Sequence, residues 1–181
     1  WAAAAVHEEL AGDIARLDRA EILAGLTQIA AFRGEPTAAL RDEVADLIGD
    51  VDDPMVRATV TSLDAMLALA SGSLADARRE ARSTAQHSAL NAPNFFLVAA
   101  RASVWLRDVD GARQDLAGLE ATGARGMAME IGRLVTHAAI AGLEGRTDEA
   151  LASFREGMKG WKSLGVDRKS TRLNSSHVAL S

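Results

Sequence analysis

Cysteine is absent from the 181-residue chain, which excludes a disulfide framework, a thiolate metal site and a cysteine nucleophile, and fits a reducing compartment. Also missing is any run of about 18 apolar residues, so no membrane-spanning helix is expected. The opening WAAAAV has neither the basic flank nor the cleavage pattern of a secretory signal. No segment sustains the period-two alternation of a half-buried strand, and none is expected. What the chain does have is apolar content: 48% of its residues are hydrophobic, enough for one domain with a sizeable core.

Those apolar residues recur at helical spacing in stretches near 4–17, 19–33, 36–48, 54–70, 73–88, 92–106, 109–122, 127–143 and 147–164. Pro36, Pro54 and Pro93 each fall in an expected first turn, where a missing N–H costs little. Gly34, Gly49, Gly72 and Gly145 stand at expected helix ends. Asp53 and Asn91 occupy capping positions, and Ser73 with Asp76 approximates a capping box. The best-formed stretch is GRTDEALASFREGMKGWKSLG, from Gly145 to Gly165. In it Thr147 is placed to cap, Asp148 and Glu149 suit the positive end of the helix dipole, and Lys159 and Lys162 suit the negative end. Ala150, Leu151, Phe154, Met158 and Trp161 make an apolar stripe that needs a neighbour.

The helices repeat. Aligning GEPTAAL, GSLADAR, RDVDGAR and GRTDEAL superposes Ala39, Ala77, Ala112 and Ala150, which lie 38, 35 and 38 residues apart. Twelve residues before each stand Thr27, Ala65, Ala100 and Ala138. Small side chains at paired positions let two helix backbones approach closely, as a packed helical hairpin requires. The run GRTDEALASF resembles the turn and second-helix start of the tetratricopeptide repeat family. Gly145, Ala150 and Phe154 match its small, small and aromatic positions, and Ala138 the small position of the first helix. The resemblance extends over about residues 20–165. Arg107 stands where that family has a turn glycine, Glu43 and Ala81 stand at the aromatic position, and no unit has the first-helix Trp or Tyr. The last unit is also similar to the C-terminal helical arrays of bacterial multidomain signalling proteins, the LuxR-type ATPase regulators and class III nucleotide cyclases. These resemblances imply an all-α fold: a right-handed solenoid of antiparallel helix pairs, about nine helices over residues 1–166, truncated at both ends. Exposed apolar faces are expected on the first and last helices.

From Asp167 to Ser181 the pattern stops, and DRKSTRLNSSHVALS is polar, basic and serine-rich. Residues 167–177 resemble a common sequencing adapter translated in frame, so 167–181 is expected to be a non-native, disordered tail without functional meaning. Asn174 is then no glycosylation site, and Arg168, Lys169 and Arg172 no basic patch. Without this tail the chain carries a net charge of −7, which argues against nucleic acid or an anionic membrane as the main partner.

Catalytic and metal motifs fail on geometry. His7 opens HEELA but lacks the second histidine one turn on, and His87 and His137 lie in other units. Asp50, Asp52 and Asp53 could attract a cation but fit solvated turns. The run from Asp108 misplaces the glycine of a calcium loop and has Leu119 in place of the bidentate Glu. GMKGWKS misses the phosphate-loop spacing and sits inside a helix, and no GxSxG marks a nucleophile elbow. Arg78, Arg79 and Arg82 read as a salt-bridged solvent face. What is left is surface. In a stacked array the first helix of each pair lines the concave side, and the family's groove positions fall on Ser62, Met66, Leu69, Leu97, Arg101 and Trp105. Apolar side chains beside one Arg and one Trp form the mixture enriched at binding hot spots; the competing expectation is that Met66, Leu69 and Trp105 only pack between units. The expected function is a non-catalytic, cytoplasmic interaction or regulatory segment of a larger bacterial signalling or transcription-regulatory protein. It would bind a protein or peptide, or a neighbouring domain of its own chain, with no cofactor, no metal, no direct nucleic-acid contact and no membrane. The alternatives are a fragment of an all-helical enzyme with an unrecognised site and a closed structural bundle.

Overall fold

The computed structural model describes residues 16–49 and 54–164, with side chains from residue 57 onward in the second stretch. Residues 4–15 of the helix expected over 4–17, the Asp50, Asp52 and Asp53 cluster, His7, Gly165 and the tail lie outside the described residues. Eight helices and no strand make up the rest: α1 (Arg16–Phe32), α2 (Ala38–Ile48), α3 (Pro54–Ser71), α4 (Leu74–His87), α5 (Ala92–Trp105), α6 (Val109–Ala121), α7 (Met127–Leu143) and α8 (Thr147–Ser163). Among the described residues no helix is long and apolar enough to cross a membrane.

Packing follows chain order. Helix α1 packs on α2, α3 on α4, α5 on α6 and α7 on α8; short turns join the members of each pair, which makes them antiparallel. Helix α4 also packs on α5, and the odd-numbered helices meet in sequence, α1 with α3, α3 with α5, α5 with α7. Buried apolar residues accordingly form successive clusters. Leu23, Val44, Ile48 and Leu63 join α1, α2 and α3; Ala65, Ala81, Phe95 and Ala99 join α3, α4 and α5; Ala112, Leu116, Leu119 and Ile140 join α6 and α7. Leu63 and Leu119 are fully buried, each worth about 1.5–3 kcal/mol by removal from water.

The turns inside the four pairs are one turn made four times. Gly34, Gly72, Arg107 and Gly145 take positive φ of 74°, 80°, 60° and 81°. The N–H of the following residue donates to the carbonyl five positions back: Glu35 to Ala30, Ser73 to Ala68, Asp108 to Ser103 and Arg146 to Ala141, at 2.9–3.0 Å. This closure satisfies helix-end carbonyls and requires a left-handed residue. Arg107 performs it with a Cβ in place, at a cost of about 1–2 kcal/mol.

Several expectations are corrected. Helix α1 runs unbroken from Arg16, so there is no boundary at residue 18; Asp18 lies in its first turn, where a carboxylate suits the helix dipole and imitates a start signal. Helix α2 begins at Ala38, leaving Pro36 outside it and Thr37 at the cap. Counted from the left-handed residue to the next helix, the first turn is two residues longer than the others, and this changes the register. Ala39 is exposed, and Leu40 packs against the core in its place, with Val44 and Ile48 buried beyond it. The other seven aligned small residues, Ala77, Ala112, Ala150, Thr27, Ala65, Ala100 and Ala138, are all buried. Ser73 and Asn91 make no side-chain caps. Arg146, not Thr147, occupies the cap of α8. A side-chain cap is made instead by Asp108, whose Oδ1 accepts from the Gly111 N–H at 2.8 Å.

The stripe expected on α8 is only partly covered: Ala150 is buried and Phe154 half-buried, but Leu151 and Met158 are 47% and 61% exposed. Close contact with α7 runs through glycines. A Cβ on Gly157 would sit 2.7 Å from Val135 Cγ2, and one on Gly160 would sit 2.8 Å from Ile131. Bulky residues dominate an apolar stripe on paper, whereas the nearest approach of two backbones selects the residues with no side chain. Helix α1 carries a similar uncovered face in Ile22, Ile29 and Phe32.

Arginines of one pair reach carboxylates of the next. Arg41 of α2 makes two 3.0 Å bonds to Asp64 of α3. Arg78 of α4 pairs with Asp108, and Arg113 of α6 with Glu144. Arg82 donates at 2.6 Å to Asp115, which is 1% exposed and also accepts from Ser103 Oγ at 2.8 Å. Asp115 thus ties α4, α5 and α6 together. The Gly111 N–H, and after it the Arg78 guanidinium, hold the Asp108 carboxyl below its ordinary range. Glu144 is lowered first by Arg146.

Candidate groove on the odd-numbered helices

Helix α5 shows how the chain builds a groove. Ala99, Ala100, Ala102 and Ser103 are buried; their small side chains let α4 and α6 close on that side. Leu97, Arg101 and Trp105, four residues apart, stand one above another on another face. That face borders a groove of about 770 Å³. Gln28 of α1, Ser62 and Met66 of α3, Met129, Val135 and Thr136 of α7, and Phe154 and Trp161 of α8 complete it. Gly132 of α7 lies under Leu97, where a Cβ would come within 2.7 Å of the leucine Cδ1, so α7 can draw close beside α5.

Five of the six residues singled out from the sequence, Ser62, Met66, Leu97, Arg101 and Trp105, line this one groove. Leu69 does not. It is 3% exposed and packs with Ala77 and Ala102, because three residues beyond Met66 the helix has turned it toward the space those alanines leave. Trp105, by contrast, is 55% exposed and does not serve as packing between units. Sequence reasoning missed Gln28, Phe154 and Trp161 as lining residues. The last two stand seven residues apart on the apolar stripe of α8, a spacing that by itself reads as packing.

The charge in the groove is simple. Among the described residues Arg101 is the only ionic side chain lining it, and it makes no ion pair or hydrogen bond with any of them, unlike Arg41, Arg78, Arg82 and Arg113. The side-chain amides of Gln28, Asn91 and Asn94, which also line it, have no hydrogen-bond partner there either. The Ser62 hydroxyl is shut off from solvent with no hydrogen-bond partner among the described residues. No group of three His, Asp or Glu side chains able to hold a metal occurs among the described residues. His87 Nδ1 lies 2.7 Å from the Ser83 carbonyl, and His137 Nε2 lies 4.0 Å from Glu120.

No protein-family model, curated protein or solved structure matches this chain. The groove is therefore the feature on which a functional conclusion has to stand.

Proposed function

We propose that the chain is a non-catalytic helical repeat array, a right-handed solenoid of tetratricopeptide-like pairs, whose concave groove receives a protein or peptide segment from a partner or from a neighbouring domain. The supporting observation is the exposure of Trp105 beside half-buried Met66 and Leu97 and unpaired Arg101. Large apolar side chains left open around one cation are what a recognition site needs and what an inert scaffold would cover. The solenoid is supported by the order of packing, since a closed bundle would bring α1 against α8, and no extensive contact joins them. The setting proposed is a cytoplasmic bacterial signalling or transcription-regulatory protein, following the style of the last unit.

Photo-crosslinking tests this. A benzophenone amino acid placed at Leu97 or at Trp105 should capture protein in the host cell far more efficiently than one at exposed Arg155 on α8. Equal capture from both positions would refute the groove as the recognition surface. Small-angle scattering from the purified chain should give an elongated particle; a spherical one would refute the solenoid.

A further inference from the structure

The groove has the size and chemistry of a small-ligand site as well as of a docking surface. We infer that it binds a small amphiphile with one anionic group, such as a medium-chain carboxylate, with Arg101 holding the anion. This rests on the groove being a recognition site and specifies a ligand for it. Three observations meet here. The volume of about 770 Å³ falls within the roughly 300–1,000 Å³ typical of sites that enclose small molecules. The wall is apolar and adaptable, with Met66, Val98, Val135, Phe154 and Trp161 around it, which suits a hydrocarbon body. Among the described residues no Asp or Glu lines it, and Arg101 is its one ion.

Charge complementarity selects the anion. In a chain with formal net charge −5, the arginines on the packed faces are held by carboxylates, so an unpaired guanidinium facing an apolar groove stands out. A guanidinium takes a carboxylate through parallel, charge-assisted hydrogen bonds, and the apolar wall beside it takes the hydrocarbon body. A cationic amphiphile of the same length meets repulsion at the same point, and a neutral alcohol gains only the hydrocarbon contact. A ligand seated there occupies the surface a docking segment would use, so the array would read ligand level as loss of docking.

Calorimetric titration of the full chain with decanoate, decanol and decyltrimethylammonium, all below their micelle-forming concentrations, tests this, with the fluorescence of the groove tryptophans as a second signal. Decanoate should bind at least about tenfold more tightly than the alcohol, and the ammonium more weakly still. Arg101→Gln should remove the preference while the thermal midpoint stays unchanged, since the side chain is exposed; Arg101→Lys should keep part of it. Trp105→Phe should reduce the fluorescence response. Equal binding of the three amphiphiles, an unchanged preference in Arg101→Gln, or no binding of decanoate at millimolar concentration would overturn the inference. Its failure is separable from that of the docking proposal. Groove crosslinks without decanoate binding would sink only the ligand, and decanoate binding without groove crosslinks would sink only the protein partner.

Discussion

Replacing Arg107 by glycine is expected to stabilise the protein, a result that no contact-counting view would suggest. Arg107 sits at φ 60° in a turn that glycine closes in the three equivalent places, Gly34, Gly72 and Gly145. Holding an L-residue in the left-handed region costs about 1–2 kcal/mol, and glycine gives back about 0.5–1 kcal/mol because its unfolded backbone is freer. The difference is a gain of about 0–1.5 kcal/mol, centred near 0.75. Little offsets it, because the Arg107 side chain is exposed and makes no hydrogen bond or ion pair among the described residues. In a chain of this length the central value corresponds to roughly 1–4 °C in thermal midpoint. Urea unfolding followed by far-UV circular dichroism should show a higher midpoint at unchanged slope. The mirror experiment, Gly72→Ala, should lose a similar amount. If Arg107→Gly leaves the midpoint unchanged or lowers it, or if Gly72→Ala costs nothing, the four turns are not equivalent and the repeat loses its best structural support.

Asp115→Ala should cost about 2–3 kcal/mol by urea unfolding, because it strands the buried Ser103 hydroxyl and removes the partner of half-buried Arg82; a loss no greater than that of an exposed ion pair would show that the buried carboxylate does not tie the three helices together. Gly118→Ala should cost about 1–3 kcal/mol, since a Cβ there overlaps the Phe96 ring. Phe96→Leu in the same chain should recover part of that loss, and strict additivity of the two changes would refute the contact. Stability should stay level from neutral pH down to about 5 and fall below it. The sign follows from Asp108 and Glu144, whose folded-state carboxyls are lowered from 3.8 and 4.5: their stabilisation is present above the unfolded values and lost as pH drops through the folded ones. Asp108→Asn keeps the capping geometry but should flatten that acid limb in pH-dependent melts; an unchanged limb would refute the assignment.

Much of the architecture was open to inspection in the sequence, and the reason lies in range. Helix formation, left-handed turn residues and the recurrence of Ala77, Ala112 and Ala150 depend on neighbours within a few positions, so period and composition record them. The groove was partly visible for the same reason: Leu97, Arg101 and Trp105 share a face of α5 by their spacing alone. Errors arose where an alignment had to stand in for a position in space. Ala39 aligns with the other alanines by likeness of letters, but a turn longer by two residues puts Leu40 at the crossing. Leu69 falls at a groove position by alignment, but the space left by Ala77 and Ala102 draws it inward. Thr147, Ser73 and Asn91 were all suitable caps, and which side chain caps depends on the path the preceding loop takes.

The amino-acid order by itself determined that this chain is helical, where most helices end, and that its helices pair through small residues, because each of these follows from local sterics and a 3.6-residue period. Only the tertiary structure decided that glycines at 118, 132, 157 and 160 carry close approaches, that Arg82 and Ser103 meet on Asp115, and that Arg101, with no counter-ion among the described residues, shares a groove with Trp105 and Trp161. Those facts depend on distances between residues far apart in sequence, and such distances are set only when the helices have packed.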